Sequence, residues 1–128
     1  MKNYRFCELK VWQKAHKLVL GIYKLSKSFP EEEKYGLVSQ MRRSAVSINA
    51  NIAEGYMKGK NEFLRYLEIA RGSLEETKYY FILSNDLGYC DDPQINALSE
   101  LADEVGRMLF HLKRSLINQP QRTKITDN

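Results

Sequence analysis

Apolar residues recur along this chain in alternating steps of four and three. The first row is Val11, Ala15, Leu18, Ile22 and Leu25, and the second is Leu37, Met41, Ala45, Ile48 and Ile52. The third is Phe63, Leu67, Ala70, Leu74, Thr77 and Phe81, and the fourth is Leu98, Ala102, Val105, Leu109, Leu112 and Leu116. Such steps keep side chains on one side of a helix, whereas a strand needs steps of two. The near-heptad rhythm is also that of helices packed at shallow angles in a bundle. Ser28-Phe29-Pro30, the stretch from Gly55 to Asn61, Gly88, and Asp92-Pro93 punctuate the rows. Gly88 follows Leu87 as a C-cap residue, and Asp92-Pro93 offers an N-cap and a first-turn proline. The pattern predicts helices over about 7–27, 33–56, 61–87 and 93–117. Short connections make successive helices antiparallel. The expected fold is all-α: an antiparallel up-and-down four-helix bundle in one domain over 1–117. Residues 118–128, polar and aperiodic around Pro120, are expected to form a flexible tail.

The second helix carries more than a core face. With its apolar row set at the origin, Val38, Val46, Ala50 and Ala53 widen the apolar arc to roughly 220°, more than one core face requires. The extra width suits a second neighbour in the bundle or contact with another subunit. Beside the arc runs a polar row, Gln40, Arg43, Ser47, Asn51 and Glu54, in steps of three, four, four and three. A structural network or interface is one reading, with Arg43 bridging Glu54 or an acid on a neighbouring helix. An RNA or ligand contact is another, and catalysis a third.

The chemistry of common bundle enzymes is missing. Diiron sites use Glu-x-x-His pairs, but the residues three before His16 and His111 are Gln13 and Met108. Two isolated histidines make a poor zinc site. Gly55 and Gly59 lack the Lys-Ser/Thr continuation of a phosphate loop. Cys7 and Cys90 form no CxxC pair and are read as reduced thiols of a cytoplasmic protein. No stretch approaches a membrane span. No metal, cofactor or small-molecule substrate is indicated. Tyr79, Tyr80 and Phe81 are consecutive, so they cannot share one helical face.

Charge is the feature that points to a partner. The net charge is only +4, but residues 1–30 hold seven Lys/Arg against one acid, and residues 61–92 hold three against seven. Lys10, Lys14, Lys17 and Lys24 form a ridge on the first helix, and Arg42, Arg43, Lys58 and Lys60 add charge on the second helix and its following loop. Such a ridge suits a phosphate backbone, with salt-sensitive and sequence-independent contact. A solvated face, or pairing with Glu68, Glu75 and Glu76 of another subunit, fits the same residues.

The chain resembles the bacterial bundle proteins encoded by intervening sequences within 23S ribosomal RNA genes. The segments that carry the likeness are Leu9-Lys10-Val11-Trp12-Gln13, Phe29-Pro30, Tyr35-Gly36-Leu37, Gln40 through Ile48, Asn51 through Gly55, Ala70 through Glu76, and Leu87-Gly88-Tyr89. They span roughly residues 6–117. One departure is Asn49, where the family often has proline. The resemblance implies an antiparallel bundle assembled as a ring, a homopentamer, without an established activity. A distant relation to accessory bundle proteins of diversity-generating retroelements implies an RNA-associated role by analogy of fold. The expected function is a non-enzymatic, self-associating bundle that binds RNA through Lys10, Lys14, Lys17, Arg42, Arg43, Lys58 and Lys60. A scaffold for a polypeptide partner is the alternative.

Overall fold

Every residue of the first three apolar rows is buried, as are Ala102, Val105, Leu109 and Leu116 of the fourth. Leu98 and Leu112 of that row lie half-buried. The computed structural model describes residues 4–120. Four helices carry the rows: α1 (Lys10–Ser26), α2 (Leu37–Tyr56), α3 (Lys60–Asp86) and α4 (Asp92–Ile117). Single 3₁₀ turns lie at Arg5–Glu8 and Glu31–Glu33, and no strand occurs among the described residues. At 1.5 Å per residue the longest helix, α3, runs about 40 Å.

Side-chain pairs fix the directions. Between α1 and α2, Asn49 reaches Trp12 and Arg42 reaches Ser26. Between α2 and α3, Ser44 meets Thr77 and Ser47 meets Ser73. Lys113 pairs with Glu68 and Lys78 with Asp103 across α3 and α4, and Lys14 pairs with Glu104 across α1 and α4. In the first three interfaces one number falls as the other rises, so those neighbours are antiparallel. For α1 and α4, the side chain of Leu98 lies over Gly21, which gives the same sense. The helices follow one another around a square: α1 touches α2 and α4, and α3 touches the same two.

Two helices start later than the spacing predicts. Leu9 is extended (φ −70°, ψ 126°), so the turn at Arg5–Glu8 is cut off from α1. Gly36 (φ −109°, ψ −109°) delays α2 to Leu37, whose backbone N–H donates to the Glu33 carboxylate at 3.1 Å. The α3 terminus follows the prediction closely. Gly88 takes φ +80°, and the Tyr89 and Gly88 N–H groups donate to the Ser84 and Asn85 carbonyls, the two bonds of a Schellman motif.

The cap of α4 is Asp91 rather than Asp92. Asp91 Oδ1 accepts from Gln94 N–H at 2.9 Å, and Gln94 Oε1 accepts from Asp91 N–H at 3.0 Å, a reciprocal capping box. Asp92 instead accepts from the Asn85 amide at 3.0 Å. Asp91→Ala is expected to cost about 1 kcal/mol of stability, read as a lower urea midpoint at unchanged m-value. Asp92→Ala, which leaves the box intact, should cost less.

Candidate functional site

Besides Tyr23, the exposed positions of α1 and its C-cap residue are Lys10, Gln13, Lys17, Leu20, Lys24 and Lys27, in steps of three, four, three, four and three. They form one row along the outside of the helix, and its four lysines make no ion pair among the described residues. Lys10, Lys17 and Lys24 recur every ~10 Å. Lys14 leaves the predicted ridge: it lies half-buried and pairs with Glu104 at 3.4 Å.

The other predicted cations divide the same way. Arg42 is held against α1. Its Nε donates to Ser26 Oγ at 2.9 Å and its Nη2 to the Tyr23 carbonyl at 3.3 Å, while the guanidinium lies 4.3 Å from the Tyr23 ring centroid. The Ser26 hydroxyl gives its proton to the Ile22 carbonyl at 2.8 Å, which leaves a lone pair for Arg42. Lys60 closes the end of α4, donating to the carbonyls of Ile117 at 3.3 Å and Gln119 at 2.7 Å. A cation there neutralises orphan carbonyls of a helix C-terminus. Through this contact residues 118 and 119 lie against the bundle, and the remainder of the predicted tail, from 121, lies outside the described residues. Arg43 and Lys58 are exposed and without such bonds among the described residues.

Arg42 and Arg43 share a shallow recess of about 450 Å³ with Tyr23, Lys34, Tyr35 and Val46. It sits where α1 hands over to α2. Tyr35 is 87% exposed and Val46 is 41% exposed. The 3₁₀ turn before it is held by Glu33, whose second oxygen accepts from the Tyr89 phenol at 2.8 Å. That carboxylate holds the Tyr89 phenol above its usual pKa. The sequence reading missed Lys34, Tyr23 and Tyr35 as members of a site. Their signal was aromatic residues interleaved with cations on either side of a helix boundary.

The polar row of α2 does not act as one network. Ser47 Oγ meets Ser73 Oγ at 2.9 Å, and the Asn51 amide donates to the Ser47 carbonyl at 2.8 Å and hydroxyl at 3.0 Å. Glu54 accepts from the Tyr66 phenol at 3.0 Å, so the expected Arg43–Glu54 bridge is absent. Gln40 is exposed. The row therefore stitches α2 to α3 through its middle and lower half, and leaves Gln40 and Arg43 free to meet solvent. Asn49 is buried, and its side-chain amide donates to the Trp12 carbonyl at 2.9 Å, a tie between α2 and α1.

The groups considered for catalysis are dispersed. His16 stacks on Trp12 at 5.1 Å between centroids, while His111 is exposed beside Phe110. Both cysteines are free. Burial first, and the Asp91 charge second, push the Cys90 thiol up, so it stays protonated at neutral pH. Among the described residues no three His, Cys, Asp or Glu side chains form a metal-holding group, and no helix is long and apolar enough to cross a membrane.

A family model described as 23S rRNA-intervening sequence protein matches residues 7–111. The chain belongs to that family. Among solved structures it is similar to a crystal structure of a protein of unknown function from the S23 ribosomal protein family, from Bacteroides thetaiotaomicron VPI-5482. That similarity has a TM-score of 0.75 at 25% identity over 81% of this chain and 98% of the other. No protein with a curated description matches. The family match spans the α1 lysine row and the recess, so both lie on the part of the chain that defines the family.

Proposed function

We propose that this member of the 23S rRNA-intervening sequence family is a non-enzymatic, self-associating bundle that binds RNA through repeated basic surfaces. The observation that carries the reading is the α1 row, in which Lys10, Lys17, Lys24 and Lys27 are exposed and form no ion pair among the described residues. Arg43 and Lys58 are exposed cations as well. Lys14, Arg42 and Lys60 serve the fold, through Glu104, Ser26 and the end of α4. Self-association is supported by the outer face of α3, where Ile69, Tyr79 and Ile82 are exposed around Gly72. A Cβ on Gly72 would meet nothing within 4 Å, so the chain itself gives no reason for glycine in mid-helix. The ring of five that the resemblance implies would repeat each lysine row around an axis and give weak contacts avidity.

Six single-strand phosphate contacts predict a log–log salt slope near −4, or roughly 100-fold or more weaker binding between 50 and 200 mM salt. Replacing Lys17 and Lys24 together by Gln is expected to make that slope shallower by about 1–2. Fluorescence anisotropy with a single-stranded RNA measures both. Absence of binding at low salt, or affinity indifferent to salt, rejects RNA as the ligand. Protein partners that survive nuclease treatment in co-purification would favour the scaffold reading instead.

A further inference from the structure

We infer that the recess between α1 and α2 takes an unpaired nucleotide of the RNA, stacking its base on Tyr35 and its phosphate against Arg43 and Lys34. This rests on the RNA-binding reading and adds the form of RNA recognised. The lysine row alone makes no distinction between paired and unpaired strands, because both present phosphates. The recess does.

Tyr35 is 87% exposed, and its only ring interaction among the described residues is with the Lys34 ammonium, 5.6 Å from the centroid. Among the described residues no side-chain hydrogen bond holds the ring, and the turn around it is fixed by Glu33 and Gly36 instead. Beside it stands a second aromatic, Tyr23, already covered by the Arg42 guanidinium at 4.3 Å. Arg42 spends Nε and Nη2 on α1, and its Nη1 has no partner among the described residues, so a donor is held ready at the recess. Arg43 lines the same hollow with its whole guanidinium uncommitted. Val46 supplies an apolar wall.

Three glutamates precede this site in sequence, and they do not cancel it. None of Glu31, Glu32 and Glu33 lines the recess. Glu33 faces away, committed to the α2 N-terminus and to Tyr89. An open aromatic ring among three cations, with no acid in the lining, matches the two halves of a nucleotide: a π-face and a phosphate. Every base has a π-face, so the contact is sequence-tolerant, but a base inside a helix is already stacked and cannot reach it.

The test compares three fluorescein-labelled ten-residue probes: oligouridylate, an abasic strand of the same length, and a duplex RNA. Full-length protein is titrated at low salt. Tyr35→Ala should weaken oligouridylate binding about 5- to 100-fold, while abasic and duplex binding change less than about twofold. Tyr35→Phe should retain oligouridylate binding, because the π-face remains. Tyr35 is so exposed that these variants should melt with the parent. Equal binding of oligouridylate and the abasic strand, or an oligouridylate affinity unmoved by Tyr35→Ala, overturns the nucleotide site and leaves the lysine row standing. Failure of all three probes to bind overturns the RNA reading with it.

Discussion

Phe81→Ala lowers the free energy of unfolding by about 3–5 kcal/mol, among the largest losses expected from a single truncation in this chain. Phe81 is 1% exposed and one of the two largest fully buried side chains. It stands on α3 within the shared core, beside Ser84 and Thr77, which are themselves fully buried. Removing the ring loses its transfer free energy and leaves a cavity that three helices would have to collapse to fill. For a domain whose whole stability is of order 5–15 kcal/mol, this is a large fraction. The corresponding fall in melting temperature is about 10–20 °C. Circular dichroism at 222 nm under urea and heat reads both. A loss below 1 kcal/mol would mean that position 81 is not a core site. Its neighbours should behave differently. Tyr80, half-buried with its phenol on Glu76, and Tyr79, exposed, should tolerate alanine far better.

Gly55→Ala should destabilise by about 1–3 kcal/mol, against the helical preference of alanine. In an unobstructed helix the change gains ~0.5–1 kcal/mol. Here a Cβ at position 55 would stand 2.5 Å from Tyr66 Cβ and 2.9 Å from Phe63 Cδ1. Tyr66 Cβ is fixed to its backbone and cannot swing aside, so α2 and α3 would have to part at this close approach. That separation also pulls Phe63 out of the core and strains the Glu54–Tyr66 bond. Gly72→Ala is the matched control: the same chemical change, on the next helix, with open space around it. It should stabilise the isolated subunit by about 0.5–1 kcal/mol. If both substitutions move the melting temperature the same way, the close approach of α2 and α3 is not what the glycine serves.

The sequence showed where the core lies because burial in a helix imposes a period, and periods survive without coordinates. The rows of α1, α2 and α3 are buried throughout, and Thr77 already signalled a polar group needing a partner inside the core. That partner, Ser44 at 2.8 Å, was not legible, since it depends on the register of two helices 33 residues apart in sequence. The same blindness divided the cations wrongly. Lys10, Lys14 and Lys17 look alike in one dimension, but only Lys14 faces α4. Arg42 and Arg43 are adjacent, and a turn of 100° sends one against Tyr23 and leaves the other in the open. Lys60 could not be told from Lys58, because its partners are carbonyls at the far end of the chain. Lys27 extends the predicted row for a simpler reason: an exposed stripe is what remains when the buried one is subtracted.

The anchoring of α4 by Lys60 has a practical side. Leu9, Lys10 and Val11 lie beside Met108, His111 and Leu112, and Lys60 holds residues 117 and 119. The start of α1 and the end of α4 therefore lie together at one pole of the bundle, and Tyr35 sits at the other. A reporter protein fused at either end, or a tether to a surface through it, would leave the aromatic hollow unobstructed.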